Sequence, residues 1–259
     1  MRSPERRLAL VTGVSRKAGI GAAIARELAR DGADLFITYY RPYDQLTGLA
    51  ADPGEPESLL TEHRQIGGHA DGRELDLADS GAPARLFDHI EARWGPVTIL
   101  VNNATHSLRD GISRLDAAHL DQHYAVNIRA MALLCAEFVR RYTLRSSRIG
   151  FGRIINLSSG QGLGAMAGEL AYAATKGSVE AFSRSLSVEV GKLGITVNAV
   201  DPGVTDTGWI PPELKLKLEA ESPMGRLGVP ADAARLVRFL VSSEAGWITG
   251  QIIHSRGGM

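Results

Sequence analysis

Residues 8–40 read LALVTGVSRKAGIGAAIARELARDGADLFITYY. Leu8–Thr12 is a short apolar run suited to a buried strand. A glycine-bearing turn from Gly13 to Gly21 follows at once. Ala22–Arg30 then places Ile24 and Leu28 at helical spacing, and Asp31-Gly32 supplies a stop, since glycine accepts the left-handed conformation found at helix C-termini. Leu35–Tyr40 is the next strand. Strand, glycine-rich turn, helix and strand in that order form the βαβ unit that binds dinucleotides. Its glycines let the backbone approach a pyrophosphate, and the N–H groups at the helix start point at it. Without a ligand, the same turn is only a tight strand-to-helix connection.

Further along, the alternation continues. Arg41–Pro56, rich in Gly, Pro and Asp, predicts a long loop. A short helix is expected over Glu57–Ile66, a polar third strand over Ala70–Leu75, a helix over Pro83–Trp94, and a strand over Val97–Val101 that ends at Asn102-Asn103. A long helix fits Ala118–Tyr142, with Asp116 as its N-cap. Strands follow at Arg153–Leu157 and Thr196–Val200, separated by a helix that carries Tyr172 and runs to Val190. Pro211–Ala220 reads as a short lid helix, Ala231–Ser242 as the last helix and Gln251–His254 as the last strand. No composition break or repeat interrupts this order. The expected fold is therefore α/β: a single-domain Rossmann fold over residues 1–259, with a doubly wound parallel sheet of about seven strands, helices on both faces, and a small substrate lid near residues 205–222.

Composition narrows the function. The chain has 259 residues, and lysine plus arginine, at 29, equals aspartate plus glutamate, at 29. A formal net charge of zero gives no support to a nucleic-acid or acidic-membrane partner. Cys135, the single cysteine, has no internal disulfide partner and sits in an apolar run, where a buried thiol packs as a small hydrophobe. No secretory apolar region follows Met1, and no run approaches the ~20 apolar residues of a membrane span. A soluble, cytoplasmic protein is expected. No metal site is expected either.

The candidate chemistry lies at the C-terminal ends of the strands, where open α/β sheets bind ligands. Ser159 follows the apolar run Ile154–Leu157. Tyr172 stands thirteen positions further on, and Lys176 four beyond that, one turn along the same helix face. Taken singly, such a tyrosine and lysine are most often a packed aromatic and a solvated charge. Asn127 sits mid-helix among apolar residues, where an amide without a partner costs roughly 1–3 kcal/mol, so a hydrogen-bonding role is expected. Asp76 follows the third strand, where an adenine would meet a carboxylate or a backbone edge. Asn102 and Asn103 end the fourth strand, which is either a turn signal or a cofactor contact. No carboxylate follows the second strand before Asp44, whereas Arg41 lies at its end and Arg16 and Lys17 lie in the glycine turn. An acid there would favour NAD and an arginine NADP, so NADP is the expected cofactor, with NAD as the alternative. As solvated loop charges these cations would say nothing.

The whole ordered set resembles the short-chain dehydrogenase/reductase family over nearly the full chain. The matching pieces are Thr12-Gly13 with Gly19-Ile20-Gly21, Asp76-Leu77, Asn102-Asn103-Ala104, Asn127, Ser159, Tyr172-x-x-x-Lys176, and Pro202-Gly203 followed by Thr205 and Thr207. Within the family the chain looks most like 3-oxoacyl-acyl-carrier-protein reductases, through Asn198-Ala199-Val200 and the C-terminal tail. Three departures stand out. Five residues, where the family has three, separate Gly13 from Gly19; Thr105 replaces a usual glycine; and Arg256 stands where an acid is common. Enoyl-acyl-carrier-protein reductases also have stretched turns, but their tyrosine and lysine are further apart.

The resemblance implies hydride transfer between a nicotinamide and a carbonyl or secondary alcohol. Tyr172 is then the proton donor, Ser159 the partner of the carbonyl oxygen, Lys176 a ligand of the nicotinamide ribose, and Asn127 the holder of a water linking Lys176 to solvent. Lys176 is expected to lower the phenol's pKa towards working pH. Cofactor contacts are expected from Gly13, Ser15, Arg16, Lys17, Gly19, Ile20, Arg41, Asp76, Leu77, Asn103, Ala104, Tyr172, Lys176, Pro202, Gly203, Thr205 and Thr207. Substrate contacts are expected from Gln161, Met166 and Trp209. With Ile210, Leu214 and Leu218, Trp209 suggests an apolar lid, or simple packing. A homo-oligomer, tetramer or dimer, is implied by the family. The leading expectation is an NADP-dependent reductase of a 3-oxoacyl thioester. The alternatives are an NAD-dependent dehydrogenase of a sugar, polyol or steroid-like alcohol, and a non-catalytic nucleotide sensor, which would be expected to lose the tyrosine or the lysine.

Overall fold

The computed structural model describes residues 7–49, 52–144 and 151–258; Met1 to Arg6 lie outside the described residues. Seven strands form one parallel sheet: β1 (Leu8–Val11), β2 (Asp34–Tyr39), β3 (Ala70–Glu74), β4 (Ile99–Asn102), β5 (Gly152–Leu157), β6 (Ile195–Asp201) and β7 (Ile252–His254). The order is β3-β2-β1-β4-β5-β6-β7. Successive side chains on a strand point to opposite faces, so each central strand feeds two cores. Ala9 and Val11 of β1 pack with α1 (Ile20–Arg30) and α9 (Pro230–Leu240). Leu8 and Leu10 pack on the other face with α4 (Ala82–Trp94), α6 (Met131–Leu144) and α7 (Leu170–Val190). Both faces are covered, which is why the inner strands read as continuous apolar runs. The order reverses between β1 and β4, and the crevice opens there.

Two local structures differ from the sequence reading. The expected loop after β2 begins with a helix, α2 (Arg41–Leu46). Pro42 lies in its first turn, where a missing N–H costs nothing and the fixed φ suits a helix. The rest of that expected loop includes residues 50–51, which lie outside the described residues. It gives way to α3 (Glu55–Gln65). The long helix does form, and Asp116 caps it by accepting the His119 N–H at 2.9 Å. It is not uniform, however: α5 (Ala117–Tyr124) passes through a π turn, Ala125–Ala130, before α6. Asn127 sits in that turn. Such turns insert one extra residue into a helix and recur at functional sites.

Gly13 has φ 72°, and a β-carbon there would lie 2.6 Å from the Cα of Ala104. Backbone on the β4 side cannot retreat as a flexible side chain would. Gly13→Ala should therefore lower the midpoint of thermal unfolding, at a cost of roughly 2–4 kcal/mol from combined strain and overpacking. An unchanged midpoint would mean that the β1 and β4 ends are not in contact.

Candidate active site

The crevice between the β1 and β4 ends holds a cavity of about 500 Å³, within the range of ligand sites. Gly13, Ser15, Arg16, Gly19 and Ile20 line its floor, with Asp76, Leu77, Asn103, Ala104 and Thr207 on its walls. Helix α1 starts at Gly19, with no side chain capping it, so its first N–H groups are available to an anion. Two buried atoms on the wall, Oδ2 of Asp44 and Nε2 of His106, have no hydrogen-bond partner. The residues fit a dinucleotide. An uncapped helix start takes a pyrophosphate, and the orphaned polar atoms can take hydroxyl or amide groups.

The extended glycine turn keeps its extra length at the tip. The Gly19 N–H donates to the Arg16 carbonyl at 3.0 Å, leaving Lys17 and Ala18 exposed. Lys17 accordingly does not line the cavity; its ammonium lies 3.6 Å from Glu62. Arg41 is also turned away, with its Nε 3.1 Å from both oxygens of Glu74. Of the three cations only Arg16 faces the cleft. Its Nη1 donates to the Thr207 carbonyl at 3.0 Å, and its Nε is 3.6 Å from Asp44. Burial pushes the Asp44 carboxyl above its ordinary range, against the pull of Ser15 and Arg16. Tyr40, at the end of β2, also lines the cavity beside Asp76, and burial and the Asp76 carboxylate raise its phenol.

Past β4, the loop is held from three sides. The Asn103 amide donates to the carbonyls of Thr12 (2.8 Å) and Gly13 (3.0 Å), tying the loop to the glycine turn. The Asn127 side chain accepts from the His106 N–H (2.7 Å) and the Thr105 hydroxyl (3.1 Å). It donates to the His106 carbonyl (2.9 Å) and the Thr175 hydroxyl (3.0 Å). These four bonds use the whole capacity of a primary amide. Thr105 does not merely fill the usual glycine's place: it is bonded. On the third side, the Tyr43 hydroxyl of α2 accepts from the Ser107 N–H (2.8 Å) and donates to the Ser107 carbonyl (3.1 Å), carrying α2 across the cleft. Burial and the neighbouring His123 and His119 hold the His106 imidazole down at about 4, so it is neutral near pH 7.

Beyond the cavity, Ser159 follows β5 and Tyr172 lies in the first turn of α7, with the Ser159 side chain pulling against the rise in the phenol's pKa. Lys176 is 3% exposed. Its Nζ donates to the Leu157 carbonyl at 2.7 Å and lies 5.5 Å from the centre of the Tyr172 ring. The expected downward pull on the phenol is not seen. Burial pushes Tyr172 up to about 12, only partly countered by Ser159, and Glu169, Asp201 and Tyr43 add to the rise. The same burial lowers Lys176 to about 8, opposed by Asp201.

The remaining expected contacts sort by position. Pro202, Gly203 and Thr205 follow β6 outside the cavity lining. Thr205 is buried and donates to the Pro202 carbonyl at 2.9 Å. None of the expected substrate residues lines the cavity. The Gln161 amide donates to Glu180 at 2.7 Å, so it serves a buried carboxylate. Met166 is half-buried. The Trp209 indole donates to the Thr205 carbonyl at 3.0 Å with its ring half-exposed. Asn102 turns inward, to Asn156 at 2.8 Å. Cys135 is buried as expected, its thiol pushed up to about 12 by burial. Sequence reading also missed Asp110, whose two oxygens accept the N–H groups of Leu170 (2.7 Å) and Ala171 (2.8 Å) at the start of α7. It lies sixty residues from those partners, and no local pattern marks it.

Comparison with known proteins agrees with this geometry. A family described as enoyl-(acyl carrier protein) reductase matches residues 13–259. The oxidoreductase YjdA of Bacillus subtilis is 47% identical over 100% of this chain and 98% of its own length. The 3-oxoacyl-[acyl-carrier-protein] reductase FabG of Pseudomonas aeruginosa is 34% identical over 98% of this chain and 97% of its own. A short-chain dehydrogenase/reductase from Serratia marcescens superposes with a TM-score of 0.86 at 30% identity, covering 99% of each chain. The fold and site thus define an oxidoreductase acting on CH–OH or C=O groups. The chain belongs to the short-chain dehydrogenase/reductase family, whose members bind NAD(P).

Asp110 fixes where the Tyr172 helix begins. Burial raises its carboxyl, but the Ala171 and Leu170 N–H groups outweigh this and leave it below the ordinary aspartate range. A depressed folded-state pKa contributes stability above the unfolded value of about 3.9 and loses it as pH falls through the folded value. Asp110→Asn should therefore destabilise the protein by roughly 1–3 kcal/mol at neutral pH, with the difference from wild type narrowing below about pH 3.9. Denaturant melts at both pH values check this; a pH-independent gap would count against the ionised cap.

Proposed function

We propose that the protein is an NADP-dependent reductase of a 3-oxoacyl thioester or a ketone of similar shape. The observation that carries the reading is Tyr172 with buried Lys176 one turn along α7 and Ser159 at the end of β5, at the sheet edge next to a dinucleotide-sized crevice. FabG relatives support the substrate, and the four-residue Tyr172–Lys176 spacing argues against enoyl reduction. When bound, the nicotinamide supplies or takes the hydride. Tyr172, protonated near neutral pH, gives its proton to the substrate oxygen as the new C–H bond forms. Ser159 hydrogen-bonds that oxygen and stabilises the charge developing on it. Lys176, mostly cationic below about pH 8, favours the phenolate left behind. We read α8 (Pro212–Glu221) and the loop before it as the lid, with Ile210 buried under it. We also propose a homo-oligomer through the long helix and the Tyr172 helix, where Leu133 and Val188 are exposed. No helix among the described residues is long and apolar enough to cross a membrane.

For NADP the support is Arg16, which faces the cleft. NAD is favoured by a different observation: Asp44 lines the same cleft with an unpartnered buried oxygen, as a carboxylate that binds a ribose hydroxyl would.

With acetoacetyl thioester as substrate, wild type should oxidise NADPH faster than NADH, followed by absorbance. Tyr172→Phe should lose turnover by roughly 10²–10⁴ and keep its cofactor affinity; near-normal turnover would remove Tyr172 from the mechanism. Arg16→Ala should raise the KM for NADPH about tenfold or more and leave that for NADH little changed, in line with ~1.5–3 kcal/mol for a charged hydrogen bond. If only NADH affinity changes, and in Asp44→Ala rather than Arg16→Ala, the NAD reading replaces it.

A further inference from the structure

The C-terminal tail lies against three segments of the active site. A β-carbon on Gly160, the residue after Ser159, would collide with the guanidinium of Arg256. One on Gly203, at φ 66°, would lie 3.0 Å from both the Cα and the Cγ of Arg256. Gly257 and Gly258 face Met224 and Pro223, just past α8. The anchor is Asp201, the last residue of β6, which is 1% exposed. Its Oδ2 accepts from Nη1 of Arg256 at 3.1 Å and lies 2.9 Å from Nδ1 of His254, and its Oδ1 accepts the Gly203 N–H at 2.9 Å. On the adjacent strand the carbonyl of Leu157, whose register partner is Val200, holds Lys176.

We propose that Arg256 is a positioning residue: its ion pair with buried Asp201 staples the tail onto the Ser159-Gly160 and Pro202-Gly203 loops and sets the net charge that Tyr172 and Lys176 face. The second half rests on the roles given to those two residues above. A guanidinium is always charged, so Arg256 offsets part of the Asp201 charge. Without Arg256, Asp201 is a buried carboxylate that has lost its guanidinium partner, a costly state, and its field on Lys176 strengthens. Without the Asp201 charge, the guanidinium remains and the field reverses. Asp201 raises both Lys176 and Tyr172 as the structure stands. The other groups facing Tyr172 are Ser159, Lys176, Glu169 and Tyr43. Glu180, one turn beyond Lys176, is bonded to Ser158 and Gln161. None of these is changed by substitutions at Asp201 or Arg256.

The test is the titration of Lys176 in the cofactor-free protein, read from the carbon-13 shift of its Cε in lysine-labelled samples and assigned with Lys176→Arg. Arg256→Gln should raise the midpoint and Asp201→Asn should lower it, each by about 0.5–1 unit. The double variant should return to the wild-type value, and Arg256→Lys, which keeps the charge, should stay close to it. A purely structural tail would move both single variants the same way or neither, and either result overturns the proposal. Should Arg256→Gln fail to fold, the Asp201→Asn shift still decides: a midpoint unmoved or raised overturns it. Because this readout needs no turnover, it stands apart from Tyr172→Phe. An inactive Tyr172→Phe with unshifted Lys176 midpoints sinks the staple and leaves the reductase, whereas an active one with opposed shifts does the reverse.

Discussion

The primary amide of Asn127 joins the two halves of the site. On one side it holds the backbone of His106 through both N–H and C=O, and on the other it reaches Thr175 on the helix that carries Tyr172 and Lys176. Asn127 is 3% exposed, so an unmade bond there would leave a polar group stranded, at about 1–3 kcal/mol. The π turn is the backbone's answer to that demand. An unbroken α-helix would present its side chains at fixed 3.6-residue intervals, and one extra residue re-aims the amide without displacing the apolar positions of α6 from the core. The distance between crevice and Tyr172 is thus set by hydrogen bonds between side chains and backbone, not by loop length.

Charge in the crevice is arranged more sparingly than a count of basic residues suggests. Arg16, Lys17 and Arg41 each have a carboxylate beside them, Asp44, Glu62 and Glu74 in turn. Exposed pairs of this kind contribute little to stability, roughly 0–1 kcal/mol. They do cancel the long-range field that three free cations would direct at an anion. What remains is local: the uncapped start of α1, and the half-buried guanidinium of Arg16 beside the half-buried carboxylate of Asp44. In the proposed reading, selection between NADP and NAD is a contest between Arg16 and Asp44, neighbours on one wall of the cleft.

Much of this was legible in the sequence, for identifiable reasons. The sheet could be read because strands buried on both faces are continuous apolar runs, and because glycine at Gly13 answers a backbone demand no other residue meets. Ser159, Tyr172 and Lys176 could be read from spacing, since a helix turn brings positions four apart together. What stayed hidden depends on side-chain direction or on distant partners. Helix α2 was masked by a composition that favours loops. Lys17 and Arg41 share their type with Arg16 but point elsewhere. The amide of Gln161 is bonded to the buried Glu180 of α7, nineteen residues on. Asp110 and Asp201 act through groups that only the fold brings near.

The phenol presents the same difficulty in energetic form. From the four-residue spacing alone, a lysine beside a tyrosine ought to lower its pKa, because an opposite charge favours the ionised form. Yet the burial that brings the two together also removes water from both, and loss of water favours each neutral form. In this site the second effect wins for Tyr172, which rises to about 12, while Lys176 falls to about 8. Near pH 7 that leaves a protonated phenol beside a cation. Such a pair is matched to an acceptor that becomes strongly basic during the reaction, as a carbonyl oxygen does when hydride arrives at its carbon and an alkoxide begins to form. For the proposed reductase, burial thus keeps the proton on the Tyr172 phenol, and the charge on Asp201 raises it further.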